Sequence, residues 1–272
     1  MQTSVLIFTQ LLFLITSADK RCRGIYFNER YYDVNIIKDG VNHLHNLAYN
    51  RQDNTVYFTF DQISKTPTRM LGYLNLDSNV ANVIDGIRNA TALAIDQYYN
   101  KVYVGGSDGL FKINDRKIPE RLPIQDDIRS MHYNKNLYFT NRRREAYKFE
   151  DGYAEPVREL QGVEVDGMIL DNDNNIFFLQ GKKLFRVKLG TRAVNIHEGH
   201  EVNAIATDVN SKAYVCTNKG VYVYNKYKYV LDKVSDITNL KALSFNMLNE
   251  PIYAVSDFVV KLRSNPLPCF ED

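Results

Sequence analysis

The sequence predicts an all-β fold, a six-bladed β-propeller, because two apolar markers recur six times in the same order along its 272 residues. The first marker is one apolar anchor residue, repeated at intervals of 46, 38, 37, 37 and 38 residues. The second is an apolar, aromatic, apolar triplet that follows each anchor after a short turn. A period in this range built from strands is typical of propeller blades. The anchors are Leu47, Leu93, Met131, Met168, Ile205 and Leu243.

The second repeat, Ala90 to Asn114, shows the unit most clearly. Apolar alternation around Leu93, again at Val102 to Val104 and again at Leu110 to Ile113 indicates three short antiparallel strands, A, B and C. A looser fourth strand, D, follows in the first five repeats. The predicted D strands are Val80 to Ile84, Glu120 to Ile124, Pro156 to Leu160, Ala193 to Ile196 and Tyr229 to Val234.

The sixth repeat ends after its third strand, Phe258 to Leu262, without a D strand of its own. A strand-like segment, Tyr31 to Ile37, precedes the first anchor. We therefore predict that the N-terminal strand completes the last blade, so that the ring closes and no sheet edge stays open.

Residues 1–18 are predicted to be a signal peptide. Their apolar run from Val5 to Ile15 is too short to span a bilayer, and Thr16 to Ala18 form a small-residue cleavage site. An uncleaved anchor or a buried helix is the alternative. Residues 19–272 then form a single propeller domain, and the mature protein is expected to be secreted and extracellular.

Composition excludes several partners. The formal net charge is +2, which argues against nucleic acid, and no later apolar run is long enough to cross a membrane. No cofactor or metal motif is present, and Gly105 to Gly109 spells G-x-S-x-G between two strands instead of before a helix. We therefore predict a monomer with no catalytic residues, no cofactor and no metal.

Three cysteines and one sequon carry expectations for a secreted chain. Cys22 and Cys269 lie near the two termini, which a closed ring brings together, so they are predicted to form a disulfide. Cys216 falls inside a strand and is predicted to be a small buried hydrophobe. Asn89 begins the one N-x-T sequon and is a candidate glycosylation site.

Blade topology predicts where a binding site would form. With strand A innermost, the segment leading into A and the loop from B to C lie at the same end of every blade. We call this end the axial mouth. The side chains predicted to bind a ligand there are His45, Arg129, Asp166, Asn203, Lys241, Asn141, Arg142 and Gln180.

Three segments resemble the insect ommochrome-binding proteins. These are GVNHLHNLAY from Gly40 to Tyr49, GGSDGLF from Gly105 to Phe111, and Cys22 with the GIYFN that begins at Gly24. The resemblance covers nearly the whole mature chain. It implies a secreted haemolymph protein that carries an ommochrome-type pigment and is not an enzyme.

A more distant resemblance links VDGMILD, residues 165–171, to the gluconolactonase and regucalcin propellers, whose P-D-G-M segment supplies a metal-ligating Asp. That family holds its divalent metal with a Glu, two Asn and an Asp. The corresponding positions here are His45, Thr91, Arg129 and Asp166, so only the Asp is retained. A guanidinium has no lone pair for a cation, which disfavours a metal-dependent lactonase.

The sequence therefore predicts a carrier for a small, planar, acidic pigment at the axial mouth. Arg129 and Lys241 can meet a carboxylate or sulfate, His45 can add a donor, and Asn203 and Gln180 can bond the ring edges. A metal-dependent lactonase and an extracellular protein-interaction propeller are the two alternatives.

Overall fold

The computed structural model describes residues 24–265 and shows a nearly all-β protein with six blades arranged as a β-propeller. The predicted signal peptide, residues 1–18, lies outside the described residues, as do Cys22 and Cys269. Two strands precede the first blade, β1 (Ile25–Phe27) and β2 (Arg30–Lys38).

Each of the first five blades is a four-stranded antiparallel meander. Blade 1 contains β3 (Leu44–Asn50), β4 (Thr55–Asp61), β5 (Arg69–Asn75) and β6 (Val80–Ile84). Blade 2 contains β7 (Ala92–Asp96), β8 (Lys101–Gly106), β9 (Gly109–Ile113) and β10 (Pro119–Arg121). Blade 3 contains β11 (Ile128–Asn134), β12 (Asn136–Asn141), β13 (Ala146–Glu150) and β14 (Tyr153–Pro156).

The remaining blades follow the same order. Blade 4 contains β15 (Gly167–Leu170), β16 (Asn175–Gln180), β17 (Lys183–Lys188) and β18 (Asn195–His197). Blade 5 contains β19 (Val202–Thr207), β20 (Ala213–Thr217), β21 (Gly220–Asn225) and β22 (Val230–Ser235). Blade 6 contains β23 (Leu240–Phe245), β24 (Pro251–Val255) and β25 (Phe258–Ser264).

Ring closure follows the prediction. Strand β2 pairs antiparallel with β25, so the sixth sheet has the order β1-β2-β25-β24-β23. Strand β1, which the sequence did not predict, adds a fifth member to this sheet. Its Phe27 is 1% exposed, and the Asn28 backbone N–H donates to the Val234 carbonyl oxygen of blade 5 at 2.8 Å. The N-terminal segment therefore joins the last two blades.

One predicted D strand is wrong in its position. Blade 3 was expected to continue as a strand from Pro156 to Leu160, but its strand ends at Pro156 and a 3₁₀ turn covers Arg158–Leu160. The turn places Leu160, 2% exposed, in a buried cluster with Val157 and Val165. Burial of this side chain between blades replaces further pairing at the sheet edge.

The core lies between adjacent blades. The middle residue of the second marker is buried in most blades, as at Tyr57, Tyr214 and Tyr253. The Tyr214 ring lies 4.9 Å from the Phe245 ring of the next blade, so this position packs between blades. Cys216 is fully buried and free, as predicted, and burial raises the pKa of its thiol to about 12. Within residues 24–265 the chain forms no helix long and apolar enough to cross a bilayer.

Candidate functional site

A cavity of about 930 Å³ opens at the end of the ring axis where the A strands begin. This is the axial mouth predicted from topology. Five of the eight predicted residues line it, and they come from five different blades: His45, Arg129, Asp166, Asn203 and Lys241. Its floor is apolar and consists of Leu47, Leu93, Met131, Ile169, Ile205 and Leu243. In blade 4 this floor includes Ile169, the neighbour of the predicted anchor Met168.

Irregular strand pairing explains why these polar residues face the axis. In four blades the register between strands A and B shifts at the very start of strand A. The shifts fall between Leu44 and Leu47, Ile128 and Ser130, Val202 and Ala204, and Leu240 and Ala242. They therefore enclose His45, Arg129, Asn203 and Lys241. A β-bulge re-aims a side chain and is common beside binding sites.

Three predicted residues do not line the mouth. Asn141 is 2% exposed, and its amide nitrogen donates to Asp126 Oδ2 and Glu145 Oε2, both at 2.9 Å. It therefore holds the B–C turn of blade 3 together. Arg142, next in that turn, is exposed away from the cavity lining. Gln180 is the last residue of β16 and does not line the cavity, although its neighbours Leu179 and Gly181 do.

His45 is held by an acidic neighbour. Its Nε2 lies 3.0 Å from Asp61 Oδ2, while Arg69 Nε lies 3.5 Å from Asp61 Oδ1. Burial lowers the pKa of His45, although the Asp61 carboxylate opposes that shift. Burial acts to raise the pKa of Asp61, but His45 and Arg69 lower it overall. At neutral pH this pair is therefore a neutral imidazole beside a carboxylate, and His45 is a polar group instead of a cation.

Two of the charged residues at the mouth are already compensated. Arg129 donates from Nη2 to Asp127 Oδ2 at 2.8 Å. Arg144 Nε lies 2.6 Å from Asp166 Oδ1, and the Gly181 backbone N–H donates to Asp166 Oδ2 at 2.5 Å. The carboxylate of Asp166 is thus occupied by a guanidinium and a backbone donor.

Lys241 differs from the other cations of the mouth. Its ammonium donates to the Ser256 carbonyl oxygen at 3.0 Å, but it has no carboxylate partner in the described part of the chain. Lys182, by contrast, pairs with Glu201. Asn203 likewise has no hydrogen-bond partner for its side chain within residues 24–265. Lys241 and Asn203 therefore offer a free donor set at the mouth.

Sequence reasoning missed five polar residues that line this cavity, which are His43, Asn46, Ser130, Lys182 and Asn239. Asn46 lines it beside His45 and donates from Nδ2 to the Thr91 carbonyl oxygen at 2.5 Å. Lys182 enters from the B–C loop of blade 4, two residues after the predicted Gln180. The hairpin position was a usable signal for Lys182. Nothing in the sequence distinguished Asn46, because a bulge rather than a motif turns it inward.

The residues at the lactonase metal positions do not fit a divalent cation. Arg129 cannot ligate, and Asp166 is bound by Arg144. Thr91 is 3% exposed, and its hydroxyl is shared between the Gly105 and Ile128 carbonyl oxygens as a donor. Among residues 24–265 no three His, Cys, Asp or Glu side chains are grouped so that they could hold a metal ion.

The sequon at Asn89 is half-buried. Asn89 has a φ of 52°, and its Oδ1 accepts the Arg69 backbone N–H at 3.3 Å. Thr91, the third residue of the sequon, is buried. Glycan attachment at Asn89 stays a prediction.

Comparison with known proteins identifies one sequence relative. The chain is 25% identical over 246 residues to the ommochrome-binding protein of Manduca sexta, covering 88% of this chain and 90% of that protein. This chain resembles an ommochrome-binding protein. No protein-family model matches it.

Solved structures share the fold at low identity. A gluconolactonase from Xanthomonas campestris aligns with a TM-score of 0.69 and 10% identity, covering 90% of this chain and 96% of the other. A putative gluconolactonase aligns with a TM-score of 0.67 and 11% identity over 86% and 92% of the two chains. A streptogramin B lyase aligns with a TM-score of 0.56 and 11% identity over 86% and 98%. At these identities the likeness shows the propeller fold and nothing about chemistry.

Proposed function

We propose that this protein is a secreted, monomeric carrier that binds a planar, acidic pigment of the ommochrome type at its axial mouth. The observation that supports this most is Lys241, a cation without a carboxylate partner in the described chain, placed over an apolar floor. Its charge suits an anionic group, and the floor suits a flat aromatic body. The likeness to the Manduca sexta protein supports the same ligand class.

The size and chemistry of the mouth agree with this proposal. A volume of about 930 Å³ lies within the range of pockets that enclose small organic ligands. Arg129 adds a second cation, whose charge is partly neutralised by Asp127. The neutral His45 and the unpaired Asn203 add hydrogen-bonding groups. Because four of these side chains sit on bulges of rigid strands, the site is largely preformed, which reduces the entropy lost on binding.

A titration with a xanthommatin-type pigment, followed by its absorbance shift, tests the proposal. Lys241→Gln should weaken binding about ten- to a hundredfold, because a charge-assisted hydrogen bond is worth roughly 1.5 to 3 kcal/mol. Lys228→Gln is the matched control. It removes one positive charge from an exposed turn between strands C and D, at the other end of the ring, and should leave the affinity unchanged.

The outcomes separate three readings of the result. Absence of saturable binding by the wild-type chain would refute the carrier. Equal weakening of both variants would mean diffuse attraction to net charge and would refute the assigned mouth. Weakening of Lys241→Gln alone supports the proposal.

A metal-dependent lactonase is the second candidate, favoured by the gluconolactonase folds and by the presence of Asp166 at the mouth. Because Arg144 already occupies Asp166, we expect calcium or zinc to leave the thermal midpoint unchanged at millimolar concentrations. A bound metal would raise the midpoint by mass action. A rise that disappears in Asp166→Ala, together with lactone hydrolysis, would favour the enzyme.

A further inference from the structure

A second cavity, of about 540 Å³, opens at the opposite end of the ring axis, where the A–B turns lie. We call it the A–B end. It shares with the mouth only the six apolar floor residues, so the two cavities meet at an apolar constriction and have no polar lining residue in common. A ligand held by polar groups at one end is therefore recognised independently of the other end.

Arg51 is the unusual residue of the A–B end. Its side chain lines this cavity and is half-buried, and its buried Nε has no hydrogen-bond partner. No carboxylate in residues 24–265 forms an ion pair with it. Asp208 acts on the charge of Arg51 through electrostatic attraction alone, from beyond ion-pair distance. Burying a cation without a partner is unfavourable, and an anion entering the cavity would remove that cost.

The nearby carboxylates are committed to other partners, and Asp208 Oδ2 accepts from Asn249 Nδ2 at 3.2 Å. Asp208 Oδ1 accepts the Asn210 and Lys212 backbone N–H groups at 2.8 and 2.9 Å. Asp96, 1% exposed, likewise accepts the Tyr98 and Tyr99 backbone N–H groups at 3.0 and 3.1 Å. Both carboxylates therefore stabilise their own turns, and neither forms an ion pair with Arg51.

The turn that carries Arg51 is fixed before any ligand arrives. Its backbone N–H donates to Gln97 Oε1 at 3.0 Å, and Gln97 Nε2 donates to the Tyr49 carbonyl oxygen at 2.7 Å. Gln52 Nε2 donates back to the Gln97 and Tyr98 carbonyl oxygens at 2.7 and 3.1 Å. These bonds lock the A–B turns of blades 1 and 2 to each other, so Arg51 and Tyr98 keep a set spacing.

Two tyrosines form the rim beside Arg51. Tyr98 and Tyr99 are 81% and 65% exposed, and their rings meet edge to face with centroids 4.7 Å apart. The Lys101 ammonium lies 4.9 Å from the centroid of the Tyr99 ring, while both rings remain exposed to solvent. They present an aromatic surface next to a guanidinium whose fork matches a carboxylate.

We propose that the A–B end is a second binding site, for a small aromatic carboxylate held by Arg51 and covered by Tyr98 or Tyr99. The carboxylate pairs with the guanidinium of Arg51, and the ring enters toward the apolar constriction. This site is independent of the pigment site at the mouth and goes beyond the proposed carrier function.

Isothermal titration of the full chain with 2-naphthoate tests the proposal. Arg51→Gln should weaken the binding about ten- to a hundredfold, as expected for loss of a charge-assisted pair. Tyr98→Ala should weaken it about three- to tenfold through loss of one aromatic contact. Arg116→Gln, an exposed cation in the C–D turn of blade 2 at the same end, is the charge-matched control and should bind as wild type.

Lys241→Gln distinguishes the two ends. If 2-naphthoate binding survives in Lys241→Gln and is lost in Arg51→Gln, the second site is supported whatever the pigment does at the mouth. Wild-type affinity in Arg51→Gln, loss in Lys241→Gln alone, or equal loss in Arg116→Gln would each overturn it. Arg51→Lys, which keeps the charge without the planar fork, is a second variant and should show an intermediate affinity.

Discussion

At the scale of single residues, the two ends of the axis carry the same signature, a cation without an acidic partner among the described residues. Lys241 has this property at the mouth and Arg51 at the A–B end, whereas Arg129 and Lys182 are paired with Asp127 and Glu201. Paired cations fix the geometry of loops, while unpaired ones can meet a ligand anion. Substitution of Lys241 or Arg51 should therefore change ligand affinity more than substitution of Arg129 or Lys182.

A half-buried histidine gives a prediction for acid stability. His132 Nε2 lies 3.3 Å from the Leu170 carbonyl oxygen, and burial lowers the pKa of His132 from 6.5 to about 4. Below pH 6.5 the His132 imidazole is protonated in the unfolded chain but stays neutral in the folded chain until about pH 4. The free energy of unfolding therefore falls as the pH drops from 6.5 toward about 4. Since His132 also lines the water-accessible cavity at the A–B end, its contribution is at most roughly 3 kcal/mol.

The measurement is the free energy of unfolding in urea as a function of pH. His132→Gln should show a flatter profile than wild type between pH 6.5 and 4. His43→Gln, which changes an exposed histidine at the mouth, is the control and should follow wild type. A His132→Gln profile parallel to wild type would contradict the account.

Which site residues the sequence could predict depended on regular geometry. His45, Arg129, Asp166, Asn203 and Lys241 were found because strand A starts at the axis in every blade. Asn141 was misplaced because its side chain closes its own turn, a choice that only the positions of Asp126 and Glu145 decide. Arg51 was not considered, because its significance lies in the absence of a partner, which no linear pattern records.

At the scale of strands and turns, bulges determine the site. The same register shift at the start of strand A occurs in blades 1, 3, 5 and 6, and it delivers four of the polar residues that line the mouth. The strands themselves were predictable from alternation with period 2. A bulge breaks that alternation by one residue, so its effect on side-chain direction could not be read from the pattern.

The short strand β1 gives a stability prediction. Phe27 is 1% exposed and lies 5.9 Å from the Tyr214 ring and 6.2 Å from the Phe245 ring. Phe27→Ala should lower the free energy of unfolding by about 3 to 5 kcal/mol. Tyr26→Ala, on the same strand but 45% exposed, should cost about 1 kcal/mol or less. Urea unfolding measures the loss in the free energy of unfolding for both variants. A loss in Phe27→Ala no larger than that in Tyr26→Ala would contradict a core position for β1.

Thiol counting tests the predicted disulfide. Ile25 and Ser264 both pair with Tyr32, so the described ends lie about 10 Å apart across two strand spacings. Cys22 and Cys269 are three and five residues beyond these positions in the sequence and lie outside the described residues, so the disulfide stays a prediction. We expect no reactive thiol in the native protein and one, Cys216, after denaturation without reductant. Three reactive thiols under those conditions would contradict the disulfide, and Cys216→Ala is the control that should show none.

At the scale of the whole molecule, the ring has an axial cavity at each end, and the two cavities differ in chemistry. The six blades, their order and the closing strand were all predictable, because repeat spacing and the missing last D strand are properties of the sequence alone. Five of the six residues of the apolar constriction are predicted anchors, whereas blade 4 contributes Ile169 in place of Met168. The division of charge between the ends depends on turns whose side chains pair across blades, which only the folded structure reveals.

A crystal structure of the full chain with a bound xanthommatin-type pigment tests the central claim most directly. We expect the pigment at the axial mouth, its ring system over the apolar floor and an anionic oxygen about 3 Å from Lys241 Nζ. A pigment bound at the A–B end beside Arg51, or on the outer face of a blade, would contradict it.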